Sequence, residues 1–132
     1  MIQGIGVDTV ETARIALSFE RFGNKFLSRI GHPLEIEKSP RISHKGRFIE
    51  FWAARYAAKE AFAKALGTGI GKNLSLKEVG VVRARGGKPE LVFAEKVKKK
   101  LETSGVLGCH IALTHTKTLA TAVVVIEGTL RK

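Results

Sequence analysis

The stretch RYAAKEAFAKALGTGIGK, Arg55 to Lys72, sets one carboxylate, Glu60, among alanines, aromatics and lysines. At 100° per residue, Phe51, Ala54, Ala58, Ala61, Phe62 and Ala65 form one apolar stripe. The opposite side carries Trp52, Ala53, Tyr56, Ala57, Glu60 and Lys64. A helix apolar on two sides is normally buried on two sides, which puts Glu60 in a packed or cleft environment where an unpaired carboxylate is costly. Two chemistries fit. Glu60 and Lys64, at i,i+4, can make an ordinary helical ion pair contributing about 0.2–0.5 kcal/mol. Alternatively, Glu60 is a ligand for a hard cation and Lys64 a ligand for phosphate. Mg²⁺ takes one or two protein carboxylates and fills its shell with phosphate oxygens and water. That arrangement needs a second acid, and Asp8, at the end of an apolar strand, is the best placed. Asp8 also has a local role open to it, because Asp8 to Glu11 reads D-T-V-E, the form of a helix-capping box.

Other segments carry weaker signals. GTGIGK, Gly67 to Lys72, lacks the spacing of a phosphate-binding P-loop and reads as a helix terminus and turn. His110 and His115, without further cysteines or histidines at suitable spacing, make a poor zinc site. His115, in a turn after a strand, either binds phosphate or is solvated. Cys109, the one cysteine, precedes His110 and an apolar run, which suits a buried inert thiol in a reducing compartment.

The elements that would position these groups follow from periodicity and breakers. IQGIGVD reads as a strand ending at Asp8, followed by a helix from Val10 to Phe22. Arg14, Ser18, Arg21 and Lys25 share helical spacing on one side of it. A second helix runs from Asn24 to Ile30, and Glu35 to Ser43 reads as a loop. The long helix spans His44 to Leu66 and stops at Gly67. Two strand-like runs joined by RGGKP make a hairpin, FAEKVKKKLETSG a short amphipathic helix, and GCHIALTHT with LATAVVVIE the last strand pair. The expected class is α+β, a largely antiparallel sheet packed on a long central helix, in one domain over residues 1–132.

Composition sets the outer limits. The 132 residues carry 23 Lys and Arg against 12 Asp and Glu, a net charge of +11, which attracts polyanions or acidic proteins without choosing among them. No segment has the length of a membrane span and the first residues do not resemble a signal peptide, so a cytoplasmic protein without membrane contact is expected. A basic RNA-binding module is the main rival by charge, with RARGGK and KVKKK in its favour. It lacks both an aromatic RNA-binding strand and a GXXG clamp, and no nucleic acid partner is expected. A third reading, a scaffold that has lost catalysis, sits badly with intact Asp8, Glu60 and Lys64.

GIGVD at Gly4 to Asp8, RYAAKEAFAKALGTGIG at Arg55 to Gly71, GKP at Gly87 to Pro89 and HIALTHT with ATAVVVIE at His110 to Glu127 resemble the holo-[acyl-carrier-protein] synthases, the short bacterial type of 4′-phosphopantetheinyl transferase. The resemblance runs from Ile2 to Glu127, and it is specific because K-E-A-x-x-K occurs together with the upstream G-I-G-x-D. It implies transfer of the phosphopantetheine arm of coenzyme A to a serine of apo acyl carrier protein, in support of fatty acid biosynthesis. It implies Mg²⁺ on Asp8 and Glu60, with Lys64 on the phosphates and Arg47, Arg55, Lys88, Pro89, His115 and Thr116 lining the coenzyme A site. The serine proton would pass to Glu60 or to a water held by the cation. A homotrimer with active sites between subunits is implied, which would account for the second apolar face of the long helix. Carrier proteins are acidic, so Arg14, Arg21 and Lys25 form an expected docking strip, whose competing reading is a solvated basic face. Ala112 stands where the family often has Ser. Gly31-His32-Pro33-Leu34 replaces a stretch usually holding Thr or Ser, so a reshaped loop is expected there.

Overall fold

A computed structural model describes residues 1–71 and 73–129. The elements, in chain order, are β1 (Ile2–Glu11), α1 (Thr12–Phe22), α2 (Asn24–Ile30), α3 (Pro33–Lys38), α4 (Lys45–Leu66), a 3₁₀ turn (Leu76–Glu78), β2 (Val79–Arg83), β3 (Pro89–Phe93), α5 (Glu95–Thr103), β4 (Val106–His115) and β5 (Leu119–Gly128). One antiparallel sheet has the order β1-β5-β4, and β2-β3 form a separate antiparallel hairpin. The α+β class and the antiparallel pairing expected from sequence are both present.

Helix α4 lies at the centre, and the two-sided burial expected of it holds. Trp52, Ala53, Ala57 and Ala58 are buried, as are Ala61, Phe62 and Ala63. The inner face of the three-stranded sheet packs on it through Ala120, Ala122, Val124 and Ile126, the alternation of a half-buried strand. Strand β1 approaches α4 most closely. A Cβ added at Gly4 would sit 1.9 Å from the Ala65 carbonyl oxygen, and one at Gly6 would sit 1.9 Å from that of Ala61. These glycines are therefore contact residues that bring strand and helix backbones together. Helix α4 ends at Gly67, which adopts φ 86°, and the Gly86–Gly87 pair turns the hairpin at φ 89° and 86°.

Three local expectations are corrected. Strand β1 does not stop at Asp8 but continues to Glu11, with Asp8 opposite Ala122 and Glu11 opposite Leu119. Pairing along β5 outweighs the local capping signal, so Asp8 caps no helix and α1 begins at Thr12. Lys25 does not continue the strip of Arg14 and Arg21, because Gly23, at φ 57°, ends α1 and Lys25 belongs to α2. The segment expected as a loop from Glu35 begins inside a helix. Pro33 opens α3, His32 Nδ1 accepts from the Leu34 amide, and the Glu35 carboxylate accepts from the His32 amide. His32-Pro33 thus builds an N-terminal cap in place of a reshaped loop.

Candidate active site

Strand β1 alternates its residues between two faces, and Gly4, Gly6 and Asp8 share the one that meets α4. The tight glycine contacts carry the strand along the helix so that Asp8 arrives beside its last turns. Lys64 Nζ donates to Asp8 Oδ1 at 3.0 Å and to the Val7 carbonyl at 3.0 Å. Lys64 thus reaches Asp8, and the ordinary Glu60–Lys64 ion pair is absent among the described residues. Asp8 is largely covered, its side chain 16% exposed, whereas Lys64 is 54% exposed.

Glu60 lies one helical turn before Lys64, on the same side of α4 as Tyr56. Burial raises the Tyr56 phenol pKa first, and the negative charges of Glu60 and Asp8 raise it further while Arg14 opposes them. Lys64 contacts Asp8 and lies one helical turn after Glu60, so the two carboxylates flank one lysine. Two carboxylates beside a lysine suit an oxygen-seeking cation that draws its other ligands from phosphate and water. Among the described residues no cluster of three or more His, Cys, Asp or Glu side chains could form a closed metal cage.

A cleft of about 620 Å³ opens elsewhere on α4. Arg47, Glu50, Phe51 and Arg55 form its α4 wall, Leu34, Glu37 and Lys38 of α3 a second, and Val81, Val82 and Arg83 of β2 a third, with Pro40 and His115 also lining it. The expected coenzyme A residues Arg47, Arg55 and His115 are therefore gathered here. His115 Nδ1 lies 2.9 Å from Glu50 Oε1. The Arg55 guanidinium stands 3.6 Å from the Phe51 ring centroid and is buried, with Nε lacking a hydrogen-bond partner among the described residues. Burial lowers its pKa to about 10, and the nearby Arg83 pushes in the same direction against Glu35. A cationic group this dry favours an anion in the cleft.

Lys88 and Pro89 do not line the cleft but adjoin it, since Pro89 pairs with Arg83 across the hairpin and Lys88 lies in its turn. Thr116 turns β4 into β5, its hydroxyl accepting from the Thr118 and Leu119 amides at 3.2 and 3.1 Å. Asp8, Glu60 and Lys64 are not among the cleft residues. About the α4 axis Arg55 and Glu60 point about 140° apart, so one chain presents the cationic cleft and the carboxylate pair in different directions. Sequence reading missed Arg83, Glu50 and Phe51. Phe51 belongs to the apolar stripe read from the sequence, yet Arg47, Phe51 and Arg55 at i, i+4 and i+8 also share one helix face.

Of the residues expected to form a docking strip, Arg14 and Arg21 share α1 and Lys25 lies on α2. Arg14 and Arg21 are exposed, with Arg14 above the Tyr56 ring at 5.5 Å and Arg21 above Phe22 at 5.5 Å. Cys109 is half-buried rather than fully buried as expected, and burial pushes its thiol pKa up to about 11.

A profile of the 4′-phosphopantetheinyl transferase superfamily matches residues 4–124. The chain is 40% identical over 127 residues to the holo-[acyl-carrier-protein] synthase of Nitratidesulfovibrio vulgaris, covering 96% of this chain and 99% of that protein. It is 41% identical to that of Koribacter versatilis, with 96% and 99% covered. Among solved structures it is similar to the Neisseria meningitidis synthase, with a TM-score of 0.88, 36% identity and 96% and 99% coverage. It also resembles the Helicobacter pylori synthase in complex with coenzyme A, with a TM-score of 0.79, 32% identity and 93% and 99% coverage. The Asp8–Lys64 contact between β1 and α4, on this fold and with relatives this similar over nearly their whole length, accompanies a match that places the chain in the 4′-phosphopantetheinyl transferase superfamily, among the holo-[acyl-carrier-protein] synthases.

Proposed function

We propose that this protein transfers the 4′-phosphopantetheine group of coenzyme A to a serine of apo acyl carrier protein, yielding holo carrier protein and adenosine 3′,5′-bisphosphate. The observation carrying this reading is the contact of Lys64 with Asp8, which joins G-I-G-x-D of β1 to K-E-A-x-x-K of α4 at one place. Asp8 and Glu60 would hold Mg²⁺, which when bound supplies a Lewis acid for the diphosphate. Lys64 adds a fixed positive charge where negative charge gathers as the serine oxygen attacks the β-phosphorus and the bond to the leaving nucleotide phosphate breaks. Glu60 is the candidate acceptor for the serine proton. Arg47, Arg55 and His115, with Lys88, Pro89 and Thr116 beside them, hold the nucleotide end.

The active enzyme is a homotrimer in this proposal, with one subunit's carboxylate pair completed by a neighbour's cleft. The divergent directions of Arg55 and Glu60 on α4 support sharing between copies. So does the outer sheet face, where Ile5 is 59% and Val7 50% exposed, beside Val125 and Val123. Residues 1–132 form one catalytic domain, acting in the cytoplasm in fatty acid biosynthesis. Among the described residues no helix is long and apolar enough to cross a membrane.

Intact-mass spectrometry tests the reaction. Apo carrier protein incubated with this protein, coenzyme A and Mg²⁺ should gain the mass of one phosphopantetheine arm, and EDTA should abolish the gain. No gain with several carrier proteins would overturn the proposal; a gain that survives EDTA would remove the metal from it.

Docking is tested separately. Arg14→Glu should raise the KM for the acidic carrier protein about tenfold, mostly through slower association, and leave coenzyme A binding within about twofold. The effect should shrink as salt rises. Equal losses toward both substrates would place the docking surface elsewhere than on α1.

A further inference from the structure

Lys59 opens K-E-A-x-x-K, yet the transfer chemistry gives it no part. It is fully buried, and its ammonium donates to Glu35 Oε1, to the Val79 carbonyl and, at 3.1 Å, to the Leu76 carbonyl. Glu35, also fully buried, accepts from the His32 amide at 3.1 Å through Oε1 and from the Val81 amide at 2.8 Å through Oε2. Burial lowers the Lys59 pKa, and the Glu35 carboxylate works against that.

Strands β2 and β3 form a two-stranded sheet, so among the described residues one edge of β2 has no strand beside it. The Val79 carbonyl and the Val81 amide, two residues apart, lie on that edge. Left unpaired in a buried setting, each would cost free energy comparable to a lost hydrogen bond. Lys59 provides the donor and Glu35 the acceptor that a neighbouring strand would otherwise provide. One ion pair thereby ties α3, α4 and β2 together. Those same elements are the walls of the cleft, contributing Leu34 and Lys38, Arg47 and Arg55, and Arg83 respectively.

We propose that Glu35 and Lys59 are positioning residues for substrate binding: by closing the free edge of β2 they set the spacing of the three cleft walls, and so the placement of Arg55 and Arg83 against the anionic nucleotide end of coenzyme A. The proposal rests on the reading of this cleft as the coenzyme A site. Removing one partner of a buried pair leaves an uncompensated charge, whereas removing both charges is often tolerated. The pair's role in geometry is therefore separable from its role in folding.

Glu35→Gln keeps the side chain's shape but has one acceptor oxygen for three donors. In it, and in Glu35→Gln with Lys59→Met, where no unpaired charge stays buried, the KM for coenzyme A should rise about tenfold while kcat at saturating coenzyme A stays within about threefold. Amides of Val79–Arg83 should exchange hydrogen faster than in the parent protein. An unchanged KM, with kcat either unaltered or reduced in proportion to the folded fraction, would assign the pair to stability alone and overturn the proposal. Failure of the parent protein to bind or use coenzyme A would instead overturn the reading of the cleft, and that control precedes any substitution.

Discussion

Glu60→Gln is expected to lower the transfer rate at least about a thousandfold while leaving the protein folded, equivalent to ~4 kcal/mol of transition-state stabilisation. The amide matches the carboxylate in shape, so helical packing around the neighbouring Ala61 and Phe62 is retained. What disappears is the negative charge, on which both proposed roles depend. Single-turnover intact-mass kinetics, with thermal unfolding as the control, would measure the loss. A Mg²⁺ titration then separates the roles. Recovery of the rate at high Mg²⁺ assigns Glu60 to holding the ion, and a rate that stays low with Mg²⁺ saturating assigns it to the proton. Near-parental turnover would remove Glu60 from both.

The second large effect is expected at a residue with no side chain. A Cβ at Gly6 would lie 1.9 Å from the Ala61 carbonyl oxygen and 2.7 Å from the Ala65 amide nitrogen, both backbone atoms that cannot swing aside. Gly6→Ala must therefore lift β1 from α4. The expected cost is about 3 kcal/mol, at the upper end for overpacking because strand or helix backbone must move. Activity should fall further than stability alone explains, because Asp8 lies two residues along the same strand face and would be carried away from Lys64. Gly46, at the start of α4, has open space around its added Cβ and serves as the control. If Gly6→Ala unfolds at the parental temperature, the close packing of β1 on α4 is wrong.

Much of this organisation was legible in the residues. Helix α4 could be read because twenty or so residues with small and apolar side chains and no internal breaker end at a glycine, and a helix depends mainly on its own sequence for its hydrogen bonds. The hairpin was legible because Gly86 and Gly87 supply the positive φ that its turn requires. Asp8, Glu60 and Lys64 were singled out as chemistry-bearing types. What the residues left open was whether Lys64 pairs with Glu60 or is a ligand for phosphate, and neither alternative included the contact with Asp8 that the structure shows.

The errors share one cause. D-T-V-E at Asp8 carries a sound local capping signal, but the hydrogen bonds offered by β5 over the same residues outweigh it. Lys25 keeps helical spacing with Arg21 on paper, and the turn at Gly23 removes that spacing. Glu35 looked like the first polar residue of a loop because a carboxylate is rarely buried. It is buried here only because Lys59, 24 residues away, meets it in the core.

By itself, then, the sequence determined the central helix, the turns and which residues are candidates, by their chemistry, for a cation and phosphate, since these follow from side-chain type and local backbone preference. Tertiary structure alone decided that Asp8 reaches Lys64 and that Glu35 and Lys59 replace a strand at the edge of β2. Each of those depends on groups far apart in the chain, whose burial is tolerable only when the partner arrives.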